Sequence, residues 1–373
     1  MAYHKFMTEP ATVVDFALTP DEEEHAKELH QRIIVFDSLM ECSWYDGMLS
    51  QMKKGGATAG SFSIGTAGLP HWKGRKESTT ARPENWWTAE TLVKDIAFMN
   101  AKARENTDEM MLCYTAADIR HAKAEGKVGF MLDVQNTNFI GSQVDRVKVM
   151  RDLGLRRIQM TYNRQNAAGV GCMEREDGGL SIWGADVIGL MNELGILVDT
   201  GHCMPQTVMD AIDASSKPIA CSHAGMKSLV ATNPRTQPDK ALRKLADNGC
   251  VFGLVSTPGA LNGTDRCTVN DYLDSIEAAV NVMGVDHVGF GTDLILAASL
   301  EEIFTAPEWG PAAQKSVGVS EGVWPWSDGH KGMENNSGYP NLTRGLIARG
   351  RSDEDIAKIM GGNFLRLIEE TIG

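Results

Sequence analysis

The strongest constraint on this chain is a rhythm of short apolar runs separated by amphipathic stretches. The runs fall at 32–36, 128–134, 157–162, 195–200, 218–222, 251–255 and 287–291. Between them, 144–153, 185–194, 205–214, 239–248 and 270–283 space their apolar residues at helical intervals. Strands alternating with helices predict a parallel sheet closed into a TIM-like (β/α)8 barrel, with one strand not visible in the pattern. An open doubly wound sheet is the rival, but the glycine-rich first turn usual there is missing after 32–36. The reading is therefore one barrel domain over 1–373. Two stretches break the rhythm, 48–83 and 305–340, and are predicted to be long loop insertions after the first and last strands. The second carries Trp324-Pro325-Trp326, which would shape a substrate mouth or serve as a surface or dimer contact. Helices are expected from 341 to 372, broken at Gly361-Gly362.

Composition narrows the partners. A formal net charge of -13 over 373 residues argues against nucleic acid or an anionic membrane surface. No apolar segment is long enough to cross a bilayer, and the first ten residues lack the apolar core of a secretory signal. The 7 cysteines are scattered, without a CxxC pair, and read as reduced thiols of a cytoplasmic protein. Cys203 and Cys221 stand beside two histidines of interest, where a small buried residue is expected ahead of a metal ligand.

Barrel chemistry is assembled at strand C-termini, so each strand end counts. His202 follows Leu197-Val198-Asp199, and His223 follows Ile219-Ala220-Cys221. Two imidazoles at matching positions of successive strand–helix units can meet over one point and hold zinc, iron or manganese. Asp133 ends another apolar run, where a carboxylate is costly unless it is paired, hydrogen-bonded or on a metal. Asp293, between glycine-flanked backbone and the last strand, suits a general acid–base. Arg235 could clamp a substrate carboxylate, and Tyr162 and Asn163 could reach the same mouth as polar handles or oxyanion donors. The first strand supplies Asp37 and Glu41 but no histidine.

At these residues the chain resembles the membrane (renal) dipeptidase family, peptidase family M19. The resemblance covers most of the chain from about Ile33. It rests on Asp199-Thr200-Gly201-His202, Cys221-Ser222-His223, Asn233-Pro234-Arg235, Gly291-Thr292-Asp293, the stretch from Tyr339-Pro340-Asn341 through Gly350, and Gly361-Gly362-Asn363-Phe364-Leu365-Arg366. Members hold two zinc ions, bridged by a glutamate, in a TIM-like barrel and hydrolyse dipeptides. The resemblance implies that His202 and His223 bind one metal, Arg235 grips the substrate carboxylate and Asp293 moves the proton. It also makes a homodimer plausible.

Four positions depart from that pattern. The first-strand Asp-Gly-His-x-Asp reads Asp37-Ser38-Leu39-Met40-Glu41; the bridging glutamate is Asp133; and the histidine near the substrate carbonyl is Tyr162. Leucine cannot ligate a metal. The bridge is shorter by ~1.5 Å, whereas ligand distances tolerate only a few tenths of an ångström. The expectation is one divalent metal per chain, zinc before manganese or iron, on His202 and His223 with Asp133 or Glu41 as third ligand. Tyr162 and Asp293 are the candidate catalytic residues; Arg235 and Asn163 would bind a small-molecule carboxylate. Hydrolysis of an amide or ester is the first reading. Metal-dependent C–C cleavage by a lyase or decarboxylase, and a metal-free binding protein, are its alternatives.

Overall fold

The computed structural model describes residues 9–41, 44–45, 47–65, 87–294 and 330–373. Eight parallel strands form a barrel in sequence order: β1 (Phe36–Glu41), β2 (Ala59–Ile64), β3 (Val128–Val134), β4 (Arg157–Gln159), β5 (Leu197–Asp199), β6 (Ala220–Met226), β7 (Val251–Leu254) and β8 (Val288–Phe290). This is the TIM-like fold that the alternating runs predict. The predicted helices appear as Arg146–Asp152, Ile182–Leu194, Pro205–Ala214, Asp239–Asp247 and Val269–Met283. The last region forms Tyr339–Ala348, Asp353–Ala357 and Asn363–Thr371, with a wider turn at Lys358–Gly362 where the glycine pair falls.

Three expectations need correction. The first strand lies later than 32–36, so both Asp37 and Glu41 belong to it. The span 48–83 is not simply an inserted loop: it contains a helix, Met48–Lys54, and the missing strand, β2. Residues 66–83 of that span lie outside the described residues, as do 305–329 and Trp324-Pro325-Trp326. From His330 the second span is structured, beginning with a short strand, His330–Lys331, paired with Cys267–Thr268.

The pleat sorts polar from apolar groups. Ser63 of β2 stands opposite Asp133 of β3, while Phe62, one residue from Ser63, and Phe130, three from Asp133, bring their rings to 6.1 Å on the other face. The helix-facing side of the barrel is thus apolar and its interior polar near the mouth. Local signals set the helix starts. Thr19, Thr115 and Thr268 each form a capping box, with Glu22, Asp118 and Asp271 respectively.

The seam between β1 and β8 is joined by side-chain and backbone hydrogen bonds. Ser38 Oγ donates to Phe290 O at 2.9 Å, and Asp293 N donates to Leu39 O at 2.9 Å. The fully buried Asp37 carboxylate accepts from Thr292 N at 2.9 Å, Tyr339 Oη at 2.7 Å, Leu39 N at 3.1 Å and Thr292 Oγ1. Four donors compensate a charge that would otherwise be costly inside a protein. Glycine is required on this side. A Cβ on Gly253 or Gly291 would stand 2.0 or 2.1 Å from Ser222 O. Among the described residues, no helix is long and apolar enough to cross a membrane.

Candidate active site

His202 and His223 reach one point by different routes. His202 stands in the turn after β5. His223 lies inside β6, which continues to Met226 rather than ending at Ser222, and the β6–β7 register shifts between Cys221 and Ala224. Such a bulge re-aims a side chain. The rings meet with centroids 4.9 Å apart and planes at 64°. Gly201 permits the approach, since a Cβ there would stand 2.8 Å from both Cε1 and Nδ1 of His223.

Each ring is held by Nδ1. His202 Nδ1 lies 2.9 Å from Asn163 Oδ1, an acceptor, so Nδ1 carries the proton. Ser222 Oγ donates to Asp199 Oδ2 at 2.6 Å and therefore accepts from His223 Nδ1 at 2.7 Å. Both Nε2 atoms are left with buried lone pairs and no hydrogen-bond partner among the described residues. Burial, then the Arg235 charge, hold both imidazoles well below their usual pKa, hence neutral. Two neutral Nε2 donors with fixed tautomers suit one divalent cation.

The carboxylates are placed differently. Asp133 Oδ2 is 3.0 Å from Nη2 of Arg157, and Asp199 Oδ2 is 3.3 Å from its Nε. Burial raises Asp133 to about 6 against the pull of Arg157. Glu41 ends β1; its side chain lies outside the described part of the structure. Among the described residues, no three His, Cys, Asp or Glu side chains converge as a metal site.

Asp293 and Arg235 form the other wall. Arg235 Nη2 donates to His223 O at 2.9 Å, and Nη1 lies 3.9 Å from Asp293 Oδ2. Its buried Nε has no acceptor among the described residues. Burial pushes the Asp293 carboxyl up to about 7, more than Arg235 lowers it. Tyr162 stacks on His202 at 4.1 Å between centroids and 26° between planes, with Trp87 behind it at 4.8 Å. The structure thus brings together His202, His223, Arg235, Asp293, Tyr162 and Asn163, and gives Asn163 a ring-orienting bond. Sequence reading missed Arg157, Asp199 and Ser222 as parts of the centre. Asp199 and Ser222 carried a faint signal, because each stands in a motif with a histidine.

Comparisons with known proteins bear on the family and the fold. The model of the membrane dipeptidase family (peptidase family M19) matches residues 23–308 and 313–372. A Pseudomonas aeruginosa amidohydrolase of known structure is 30% identical, with a TM-score of 0.79, covering 93% of this chain and 99% of that one. The probable dipeptidase PvdM of the same organism is 20% identical with a TM-score of 0.75, covering 95% and 99%, a likeness of fold. The curated dipeptidase tcpJ of Claviceps purpurea is 26% identical over 267 residues, 71% of this chain; the match spans 56% of that protein's length. By family model, sequence and fold together, the chain belongs to the membrane dipeptidase family, peptidase family M19.

Proposed function

We propose that this protein is a metal-dependent hydrolase that cleaves an amide bond in a small, carboxylate-bearing, dipeptide-like substrate. The observation that carries the reading is the pair of buried Nε2 lone pairs on His202 and His223, which have no hydrogen-bond partner among the described residues. Family membership and the amidohydrolase and dipeptidase relatives support the reaction class. His202 and His223 would hold one divalent metal, zinc before manganese or iron, which when bound supplies a Lewis acid and an activated water.

The chain's own groups do the rest. Arg235 offers an unsatisfied buried Nε–H to a substrate carboxylate, a charge-assisted bond in a dry pocket. Asp293, raised to about 7, can take a proton from the attacking water and return it to the leaving amine near neutral pH. Tyr162, stacked on His202, lines the mouth with a flat apolar face. Asn163 and Ser222 keep the imidazoles oriented.

The test is turnover of a dipeptide and N-acyl amino acid panel in oxygen-18 water by protein loaded with zinc or manganese. Hydrolysis places one labelled oxygen in the new carboxylate, and His223→Ala loses metal and turnover together. Product without label would favour C–C cleavage instead. Full turnover by a metal-free His223→Ala protein would sink the reading.

A further inference from the structure

Arg157 is a guanidinium inside the barrel. It stands in ladder register with Asp133, and its strand partner two positions on, Gln159, faces Asp199. The side chain is 1% exposed. From β4 it reaches Asp133 on β3 at 3.0 Å and Asp199 on β5 at 3.3 Å, and Nη1 donates to Ser38 O on β1. Through Asp199 Oδ2 and Ser222 Oγ the contact continues at 2.6 and 2.7 Å to His223 Nδ1.

Two carboxylates in a barrel interior need a positive partner, since removing an ion from water costs several kcal/mol. A divalent cation could serve. A guanidinium serves as well, stays charged at any working pH, and cannot dissociate. We propose that Arg157 is a tethered cation that pairs with both Asp133 and Asp199 in place of a second metal ion, so that this mouth takes one exchangeable cation. It is also a positioning residue, steadying His223 through Asp199 and Ser222. The inference deepens the hydrolase reading and rests on it for the cation held by the histidines.

A guanidinium that merely ties strands together predicts lost stability when it is removed, and nothing more. A guanidinium in a cation's seat predicts that the seat opens. Equilibrium dialysis against zinc chloride, followed by elemental analysis, counts bound ions. The wild-type chain is expected to hold one equivalent, removed by His202→Ala. Arg157→Met is expected to hold one more, removed by adding Asp133→Asn. Two equivalents on the wild type, or no gain in Arg157→Met, would overturn the proposal. Zero equivalents on the wild type with one on Arg157→Met would sink the histidine-bound metal while upholding the role of Arg157.

Should Arg157→Met not fold, Arg157→Lys keeps the charge and loses the fork. It is expected to retain a single equivalent at about 10- to 100-fold weaker affinity, with Ser222→Ala weakened similarly. Unchanged affinity in both variants would overturn the positioning role.

Discussion

Asp293 holds φ +55, a left-handed backbone that few side chains other than Asn and Asp adopt readily. That turn sets its carboxyl against Arg235 in a buried corner, where desolvation outweighs the cation and lifts the pKa to about 7. The folded chain therefore favours the neutral acid. The stability it contributes is full below the unfolded value of 3.8 and is lost as pH rises through about 7. Asp293→Asn should accordingly be more stable than wild type at pH 8, by on the order of 2–4 kcal/mol, with the advantage gone near pH 4. Urea unfolding at both pH values measures this. The same variant should lose about 10²- to 10⁴-fold in turnover, and the wild-type rate should rise through pH 7. At His202 the expectation is different. Asn163→Leu removes the acceptor of Nδ1 without touching Nε2, so metal affinity should fall about 10- to 100-fold, as metal titration would show.

Among elements, those built from Val, Ile and Leu were legible and those built from small or charged residues were not. β3 and β5 announce themselves as apolar runs. β2, Ala59-Gly60-Ser61-Phe62-Ser63-Ile64, does not, because its inward serines break the apolar run, yet all six residues are buried. Arg157 was invisible for a related reason: a cation at the start of a strand ordinarily marks the solvent edge, and only barrel closure turns it inward. The two histidines were legible because a polar tip after an apolar strand is a simple pattern; the bulge that aims His223 leaves no trace in composition. Helix Pro20–Arg32 hides a further joint. His30 Nε2 donates to Gly55 O at 2.8 Å and Nδ1 accepts from Thr343 Oγ1 at 2.7 Å, tying three elements together. Burial lowers its pKa from 6.5 to about 4. Its stabilising contribution is present above pH 6.5 and lost as pH falls through about 4. The stability gap between wild type and His30→Gln should narrow by roughly 3 kcal/mol from pH 7 to pH 4, read from paired denaturation curves. A constant gap would mean that His30 takes up its proton in the fold as readily as in the unfolded chain.

At the scale of the whole molecule, the mouth of the barrel carries an unbalanced charge. Among the described side chains buried there, the carboxylates are Asp37, Asp133, Asp199 and Asp293 and the guanidinium groups Arg157 and Arg235. Four carboxylates against two guanidinium groups leave two negative charges when all are ionised, which one divalent cation cancels. Burial raises the pKa of Asp133 and Asp293, and the neighbouring carboxylates add to the rise, so protons taken up there relieve the same imbalance. A cation on the imidazole pair should therefore stabilise the entire barrel, because strands from both sides of the seam converge on that mouth. An ion at 100 times its Kd adds about 2.7 kcal/mol. With about 2.1 cal/mol/K of unfolding entropy per residue, a chain of 373 residues gains about 3 °C in Tm. Manganese is the better probe, since the 7 cysteines released on unfolding bind zinc and would mask the effect. The rise should be absent in the His202→Ala/His223→Ala double variant. It should shrink below pH 6 in the wild type, where Asp133 and Asp293 take protons and the mouth no longer needs a cation. A Tm that climbs equally in the double variant would place the stabilising ion elsewhere on the molecule.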